Sequence, residues 1–293
     1  MSTAASALDT LKQGRPEWTP WLAVVAEICE QANDPVWDAA AQSCAPASGP
    51  AVPLLANASV AVPRNVLGRS LTRLIQKASR SGSGTMATLD RVLNDEPGAL
   101  ALFAASVSQD SDVVKETAAR RGIDADSLQA VSALWGIPFL QACHRQWAAV
   151  IPKTWAAPYC PICASRPAFV EVRGIERARH ARCGRCGAEW YARMLQCSYC
   201  DNSDHEQLLT LVPQSGAPTQ AIEACTKCRG YLKAFTRLQG CSPGSVYLED
   251  LASVDLDIAA LDAGYRRPQG AGYPLAVTVT AHAARRRLFA WNT

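Results

Sequence analysis

The sequence predicts a multidomain α+β protein with a helical N-terminal domain, two small four-cysteine metal modules and a C-terminal helix. Residues 1–150 have apolar side chains at helical spacing and hold only three cysteines, none of them paired. Eight of the 12 cysteines then form four Cys-x-x-Cys pairs between residues 160 and 228, separated by short strand-like segments. The expected boundaries are 1–157 for the helical domain, 158–195 and 196–245 for the two modules, and 246–293 for the C-terminal helix and basic tail.

Helical periodicity accounts for most of the N-terminal half, which is therefore expected to be an all-α bundle. Gly122 should end one helical stretch, and Pro138 should kink or break another, because proline lacks an N–H and clashes with the preceding turn. The Ser-Gly repeat at 81–84 is typical of a flexible connection. The helical stretches are 18–33, 65–80, 99–121 (one or two helices) and 126–147.

The C-terminal half is predicted to contain short strands, one helix and a loose end. Residues 152–158 resemble a linker, and 247–263 has the apolar spacing of an amphipathic helix. The tail from residue 265, with arginines at 266–267 and 285–287, is expected to be loosely ordered and solvated. The expected strands are 168–172, 189–194, 221–224 and 231–237.

The four Cys-x-x-Cys pairs have the spacing of metal-binding knuckles, because two intervening residues form a tight turn that aims both sulfurs at one point. The residue after the second cysteine commonly needs a positive φ, which suits Gly187 and which Asp201 tolerates better than Ala164 or Arg229. The four knuckles are Cys160/Cys163, Cys183/Cys186, Cys197/Cys200 and Cys225/Cys228.

Neither a disulfide framework nor a redox-active thiol pair suits these cysteines. A disulfide framework is typical of short secreted chains, whereas this chain has 293 residues and no signal-peptide pattern at its start. A thioredoxin-like redox pair requires one Cys-x-x-Cys on a βαβ pattern, not four in tandem. Structural metal binding is the favoured interpretation.

The gaps between knuckles favour sequential pairing. Gaps of 19 residues after Cys163 and 24 after Cys200 each fit a returning hairpin, while the ten residues after Cys186 fit a link between units. The alternative is crossed pairing, in which the two outer knuckles (the first and fourth) form one site and the two inner knuckles (the second and third) form the other. Zinc and iron both accept four thiolates in a tetrahedron, so the spacing does not separate them. Site 1 would comprise Cys160, Cys163, Cys183 and Cys186, and site 2 would comprise Cys197, Cys200, Cys225 and Cys228.

Composition and motifs favour a binding protein in the cytoplasm over an enzyme. No apolar run approaches the roughly 20 residues that span a bilayer. The net charge of +3 is too small to argue for nucleic acid by itself. No phosphate loop, serine elbow or zinc-protease motif is present in the sequence. Glu249 and Asp250 are expected on a solvated helical turn, and His180 and His205 on the surface. Of the unpaired cysteines, Cys29, Cys44 and Cys143 should be buried, and Cys241 should lie in a loop.

The order of motifs in the second half resembles the bacterial formate dehydrogenase accessory protein family FdhE. The resemblance covers about residues 157–267 and rests on Tyr159 with the first knuckle, the three later knuckles, and the segments that follow them. These segments are Glu189-Trp190, Gly230-Tyr-Leu-Lys233, Glu249-Asp-Leu-Ala252, Leu256-Asp257 and Gly264-Tyr265.

The resemblance implies a helical domain followed by two rubredoxin-like modules, a zinc-ribbon-like arrangement of knuckles. It also implies a cytoplasmic assembly factor that binds the catalytic subunit of a respiratory formate dehydrogenase before export. The eight paired cysteines become ligands of two metal ions, with iron favoured by the resemblance and zinc as the alternative. The helical domain could form the client groove or a homodimer interface. Membrane insertion is not expected.

Two alternative functions stay open from the sequence. A nucleic-acid-binding zinc ribbon would use the arginines near the knuckles, although Glu171, Glu176 and Glu189 are interleaved with them. A rubredoxin-like redox protein would use iron in the same thiolate sites. The arginines in question are Arg173, Arg177, Arg179, Arg182, Arg185 and Arg193.

Overall fold

The fold is given by a computed structural model that describes residues 3–80, 86–92, 96–212 and 219–282. Helices dominate the first half, as the periodicity predicts, and among the described residues no helix is long and apolar enough to cross a membrane. The helices of this half are α1 Thr3–Gly14, α2 Thr19–Gln31, α3 Pro35–Gln42, α4 Arg64–Ser79, α5 Glu96–Ser108, α6 Ser111–Arg121, α7 Ala125–Trp135 and α8 Ile137–Trp147.

The helix ends follow local chemistry. The carboxylates of Asp110 and Asp124 accept hydrogen bonds from the first free N–H groups of α6 and α7. Gly122 ends α6 in the left-handed conformation, with φ of 61°. The break that Pro138 predicts falls at Gly136, so that the proline lies in the first turn of α8, where no N–H is needed. The Ser-Gly stretch at 81–84 lies outside the described residues.

A short strand interrupts the helical half, so this half is not purely α. Strand β1, Ala58–Pro63, pairs in parallel with β8, Val277–His282, from the far end of the chain. Residues 265–282 are therefore ordered, contrary to the loose tail expected from the sequence, because β8 completes a two-stranded sheet. The arginines at 285–287 lie outside the described residues.

The second half is built on one six-stranded sheet. Its order is β4-β3-β2-β7-β6-β5, and all neighbours are antiparallel except β2 and β7, which run parallel. Each four-cysteine module contributes three consecutive strands, and the β2–β7 pairing joins the two modules edge to edge. The strands are β2 Phe169–Arg173, β3 Ala178–Arg182, β4 Glu189–Tyr191, β5 Leu208–Leu211, β6 Gln220–Cys225 and β7 Tyr231–Arg237.

The helix expected over 247–263 is divided into two. Helix α9, Val246–Ala252, and helix α10, Val254–Asp262, meet at Ser253, whose hydroxyl donates to the carbonyl of Glu249. Trp155, in the expected linker, is buried and donates its indole N–H to the carbonyl of Tyr159. A continuous apolar core extends from the aromatic cluster of Trp37, Phe103 and Trp135 to the first knuckle.

Candidate metal centres

All four knuckles have the same backbone hydrogen-bond pattern. In each turn, the N–H of the residue after the second cysteine donates to the carbonyl of the first cysteine, over 2.9–3.1 Å. The N–H of the first cysteine in turn donates to the carbonyl of the residue two positions beyond the second cysteine. The eight cysteines are thus held by backbone geometry that repeats along the chain.

The turn also fixes φ at the position that the sequence singles out. Gly187 has a φ of 80°, and Ala164, Asp201 and Arg229 have φ values of 59°, 56° and 58°. Three non-glycine residues therefore accept the left-handed conformation, which costs an L-residue roughly 1–2 kcal/mol. The knuckle geometry is retained despite this cost.

Site 1 lies in the interior of the protein. Knuckle Cys160/Cys163 precedes β2 and knuckle Cys183/Cys186 joins β3 to β4, so the β2–β3 hairpin brings them together. The Sγ atoms of Cys160 and Cys186 are 3.4 Å apart, and those of Cys163 and Cys183 are 3.5 Å apart. All four cysteines have no exposed surface.

Site 2 lies closer to the surface. Knuckle Cys197/Cys200 precedes β5, and knuckle Cys225/Cys228 forms the turn between β6 and β7. The Sγ distances are 3.7 Å between Cys197 and Cys228 and 3.8 Å between Cys200 and Cys225. Cys197 and Cys225 are buried, whereas Cys200 and Cys228 are half-buried.

The two groups of sulfurs fit a tetrahedral metal ion. A metal about 2.3 Å from four thiolates gives a tetrahedron with edges of about 3.8 Å. In each group all four sulfurs lie within 4.8 Å of one another, and the closest distances approach that edge. The two four-cysteine clusters could therefore hold metal ions, grouped in the sequential order of the knuckles.

The electrostatics of the sites also fit a cation. Burial raises the pKa of the Cys160 and Cys186 thiols, since a thiolate loses its hydration in the interior. Burial also raises the pKa of Cys225, but hydrogen bonds from the N–H groups of Cys228 and Lys227 and from neighbouring thiols together outweigh it and lower the pKa to about 7. Four thiolates at such distances repel one another, so a metal cation is the natural compensation.

Backbone donors further support thiolates at both sites. The N–H groups of Ile162 and Cys186 each donate over 3.4 Å, to the sulfurs of Cys160 and Cys183 respectively. At site 2, the N–H of Gly230 donates to the sulfur of Cys228 over 3.3 Å. Hydrogen bonds of this kind favour the charged form of a thiol, which is the form that binds metal.

Two buried ion-pair clusters beside the sites are not apparent in the sequence. In the first, Arg182 and Glu171 are almost fully buried and 3.1 Å apart. In the second, the fully buried Lys233 ammonium lies 2.7 Å from Asp250 and 2.9 Å from Asp257. The paired residues lie on different strands or helices, 11 to 24 positions apart, so spacing along the chain carries no signal for them.

The sequence suggests that the acidic pair on α9 lies on a solvated turn. The structure corrects this, because both carboxylates are paired within the protein. Asp250 is engaged by Lys233 and by Arg267, whose guanidinium also reaches Asp257 over 2.7 Å. Glu249 lies 2.7 Å from Arg237. Arg267 is likewise held by carboxylates and is not the freely solvated charge expected of the tail.

The remaining candidate residues lie away from the sulfurs. His205 is exposed, and His180 is half-buried, with its Nδ1 3.9 Å from Glu189. Cys44 and Cys143 are buried, while Cys29 is only half-buried. Cys241 is half-buried in a loop, and burial raises the pKa of its thiol to about 12.

Parts of this chain are similar to known proteins. The family profile described as FdhE, C-terminal domain, matches residues 195–272. The FdhE homologue of Pseudomonas aeruginosa is 32% identical over 123 residues, which are 40% of this chain and 40% of that protein. The FdhE protein of Escherichia coli O127:H6 is 32% identical over 111 residues, covering 37% of this chain and 35% of that protein. The aligned parts thus span about two fifths of these curated relatives.

One solved structure covers nearly the whole chain. The crystal structure of the FdhE protein from Pseudomonas aeruginosa aligns with 92% of this chain and 93% of that chain. The TM-score is 0.54 and the sequence identity is 22%, so this likeness concerns the fold.

The fold and the sites define a protein with a helical region and two tandem four-cysteine modules joined by one sheet. Residues 195–272 match the FdhE C-terminal domain, and the chain as a whole has the fold of an FdhE protein. The FdhE resemblance that the motifs indicate is thereby confirmed.

Proposed function

We propose that this protein is a cytoplasmic accessory factor that binds the catalytic subunit of a respiratory formate dehydrogenase during its maturation, before export. The observation that carries the proposal is the pair of four-cysteine sites within an FdhE-type fold. The eight cysteines would hold two metal ions. Iron is favoured by the family resemblance, and zinc is the alternative.

The coordination chemistry supports a binding role over catalysis. A metal with four thiolates in a tetrahedron has no open position for water or substrate. Such a metal stabilises a small β module that buries too little apolar surface to fold alone. The protein would therefore present a rigid surface to its client, and a homodimer could form through the helical region.

The alternative of nucleic-acid binding gains little support from the arginines near the knuckles. Arg173, Arg179 and Arg182 are paired with glutamates, and Arg185 donates to backbone carbonyls. Of the six arginines that the sequence singles out, three therefore have their charge paired with a carboxylate of the protein. A basic surface for phosphates requires guanidinium groups that face solvent.

The redox alternative rests on metal identity. Iron in either site would give a visible ferric-thiolate absorption that bleaches reversibly on reduction, whereas zinc would leave the protein colourless. An iron site could coexist with client binding.

Client binding can be tested by affinity capture. The tagged full chain, produced in cells that express a respiratory formate dehydrogenase, should recover the catalytic subunit in a stoichiometric complex. The Cys200→Ser and Cys228→Ser double variant should recover much less, because site 2 loses two ligands. Cys29→Ser is the matched control, since Cys29 belongs to neither site. Failure of the wild-type chain to recover the subunit would contradict the proposal.

A further inference from the structure

A cleft of about 630 Å³ lies between the helical region and the knuckles, and neither metal site includes it. Helices α5, α6 and α7 form one wall, and the first three knuckle turns contribute to the other. A concave site of this volume is in the range of small-molecule sites, which span roughly 300–1,000 Å³. The cleft is therefore large enough for a small ligand.

The side chain of Arg166 has no hydrogen-bond or ion-pair partner within the described part of the chain. In that part, four arginine Nε atoms are buried without a hydrogen bond, in Arg166, Arg179, Arg182 and Arg267. The other three belong to guanidinium groups whose outer nitrogens pair with carboxylates. The Arg166 guanidinium lies over the ring of Tyr199, 5.6 Å from its centroid. A half-buried cation without a counter-charge is costly unless an anion completes it.

A second guanidinium in the cleft also has no carboxylate partner among the described residues. Arg185, in the second knuckle, donates to the carbonyls of Val107, over 3.1 Å, and Ser106, at the end of α5. The helix end offsets part of its charge, by roughly half a unit. A guanidinium has five N–H donors, so Arg185 keeps donors for a ligand.

Acidic side chains do not neutralise the cleft. Asp250 is the acidic residue among the described lining residues, and Lys233 and Arg267 already engage it. Ser132 lines the wall opposite the knuckles, and its buried hydroxyl, which has no hydrogen-bond partner in the described part of the chain, can donate to an oxyanion. The lining of the cleft therefore has a polar atom without a partner and an excess of positive charge.

We propose that this cleft is a binding site for a small ligand that carries a phosphate or carboxylate group, held by Arg166 and Arg185. The planar guanidinium matches both oxyanions through paired N–H donors. The cleft shares knuckle turns with the metal sites, but none of the eight paired cysteines lines it, and it does not depend on client binding. It would place a small anionic ligand between the helical region and the metal modules.

The test is a calorimetric titration of the full metal-loaded chain with inorganic phosphate and, separately, with succinate, at constant ionic strength in chloride. We expect saturable binding of at least one oxyanion at one site per chain. Preference for phosphate or for succinate identifies the ligand group, and either preference supports the site. Lack of saturable binding by both would overturn the proposal.

Variants locate the binding. Arg166→Gln should weaken binding by about tenfold or more, because a charged hydrogen-bond donor is lost. Its melting temperature without anion should change little, since the cation–π contact with Tyr199 is all that the described structure shows Arg166 to lose. Arg69→Gln is the matched control, because Arg69 is exposed on α4 and its replacement removes the same charge. Equal affinities in these two variants would overturn the assignment to Arg166.

A second variant makes the test independent of any local effect at position 166. Gln129→Glu keeps the side chain's size and adds a negative charge to the lining. It should weaken oxyanion binding as Arg166→Gln does. Binding as tight as in the wild type would contradict an anion in this cleft.

Discussion

The residue after the second cysteine of each knuckle has a positive φ in all four turns, but only Gly187 is a glycine. The four positions differ in the space available for a Cβ atom and not in backbone conformation. A Cβ added at Gly187 would lie 2.8 Å from two backbone carbons of Pro243 and closer still to its carbonyl oxygen. Ala164, Asp201 and Arg229 have the room that Gly187 lacks.

This contrast makes Gly187→Ala a sharp test at the residue scale. The variant should lose about 1–2 kcal/mol of unfolding free energy to the left-handed conformation, and about 1–3 kcal/mol more to the clash with Pro243. Gly174→Ala is the control, because Gly174 has a φ of 63° and open space around its Cβ position. Urea unfolding of metal-loaded protein measures both. Equal losses in the two variants would show that the contact with Pro243 is unimportant.

At the scale of elements, local pattern predicts helices and strands well where the signal lies within one segment. Strand β7 has the predicted bounds, and the break between α7 and α8 lies next to Pro138, as expected. Gly122 ends α6 because a left-handed helix end favours glycine. These features depend on near neighbours, which the sequence displays directly.

Pairings between distant segments could not be predicted. Strand β1 is stabilised by β8, more than 200 residues later, and neither segment shows this alone. Asp250 is half-buried and paired with Lys233 and Arg267, which its position in the helical pattern does not indicate. The knuckles are the exception, since their spacing shows which sulfurs can converge although the partner knuckle is 19 or 24 residues away.

The two metal modules should differ in how fast they release metal. Site 1 has four cysteines with no exposed surface, whereas Cys200 and Cys228 of site 2 are half-buried. A chelator should therefore remove metal in two phases of equal amplitude, the faster from site 2. The release can be followed by the absorbance of a metallochromic chelator in excess. A Cys200→Ser variant should lose mainly the fast phase, and one phase in the wild type would contradict this difference.

At the scale of the whole molecule, the two metal modules are not separate structural units. The parallel pairing of β2 with β7 makes one sheet from both modules, and the core of the helical region continues to Cys160 and Cys163. Metal bound at site 1 would therefore support the junction between the helical region and the sheet. This arrangement suits a protein that offers a client one rigid surface.

The most direct test of two separate four-cysteine sites is the metal content of the full chain, purified without oxygen and shown to be folded. We expect two metal ions per chain. Variants Cys163→Ser with Cys183→Ser, and Cys200→Ser with Cys225→Ser, should each retain about one, because each pair removes two ligands from one site. A single metal ion in the folded wild-type chain, or loss of both ions from a variant of one site that is shown to be folded, would contradict this arrangement.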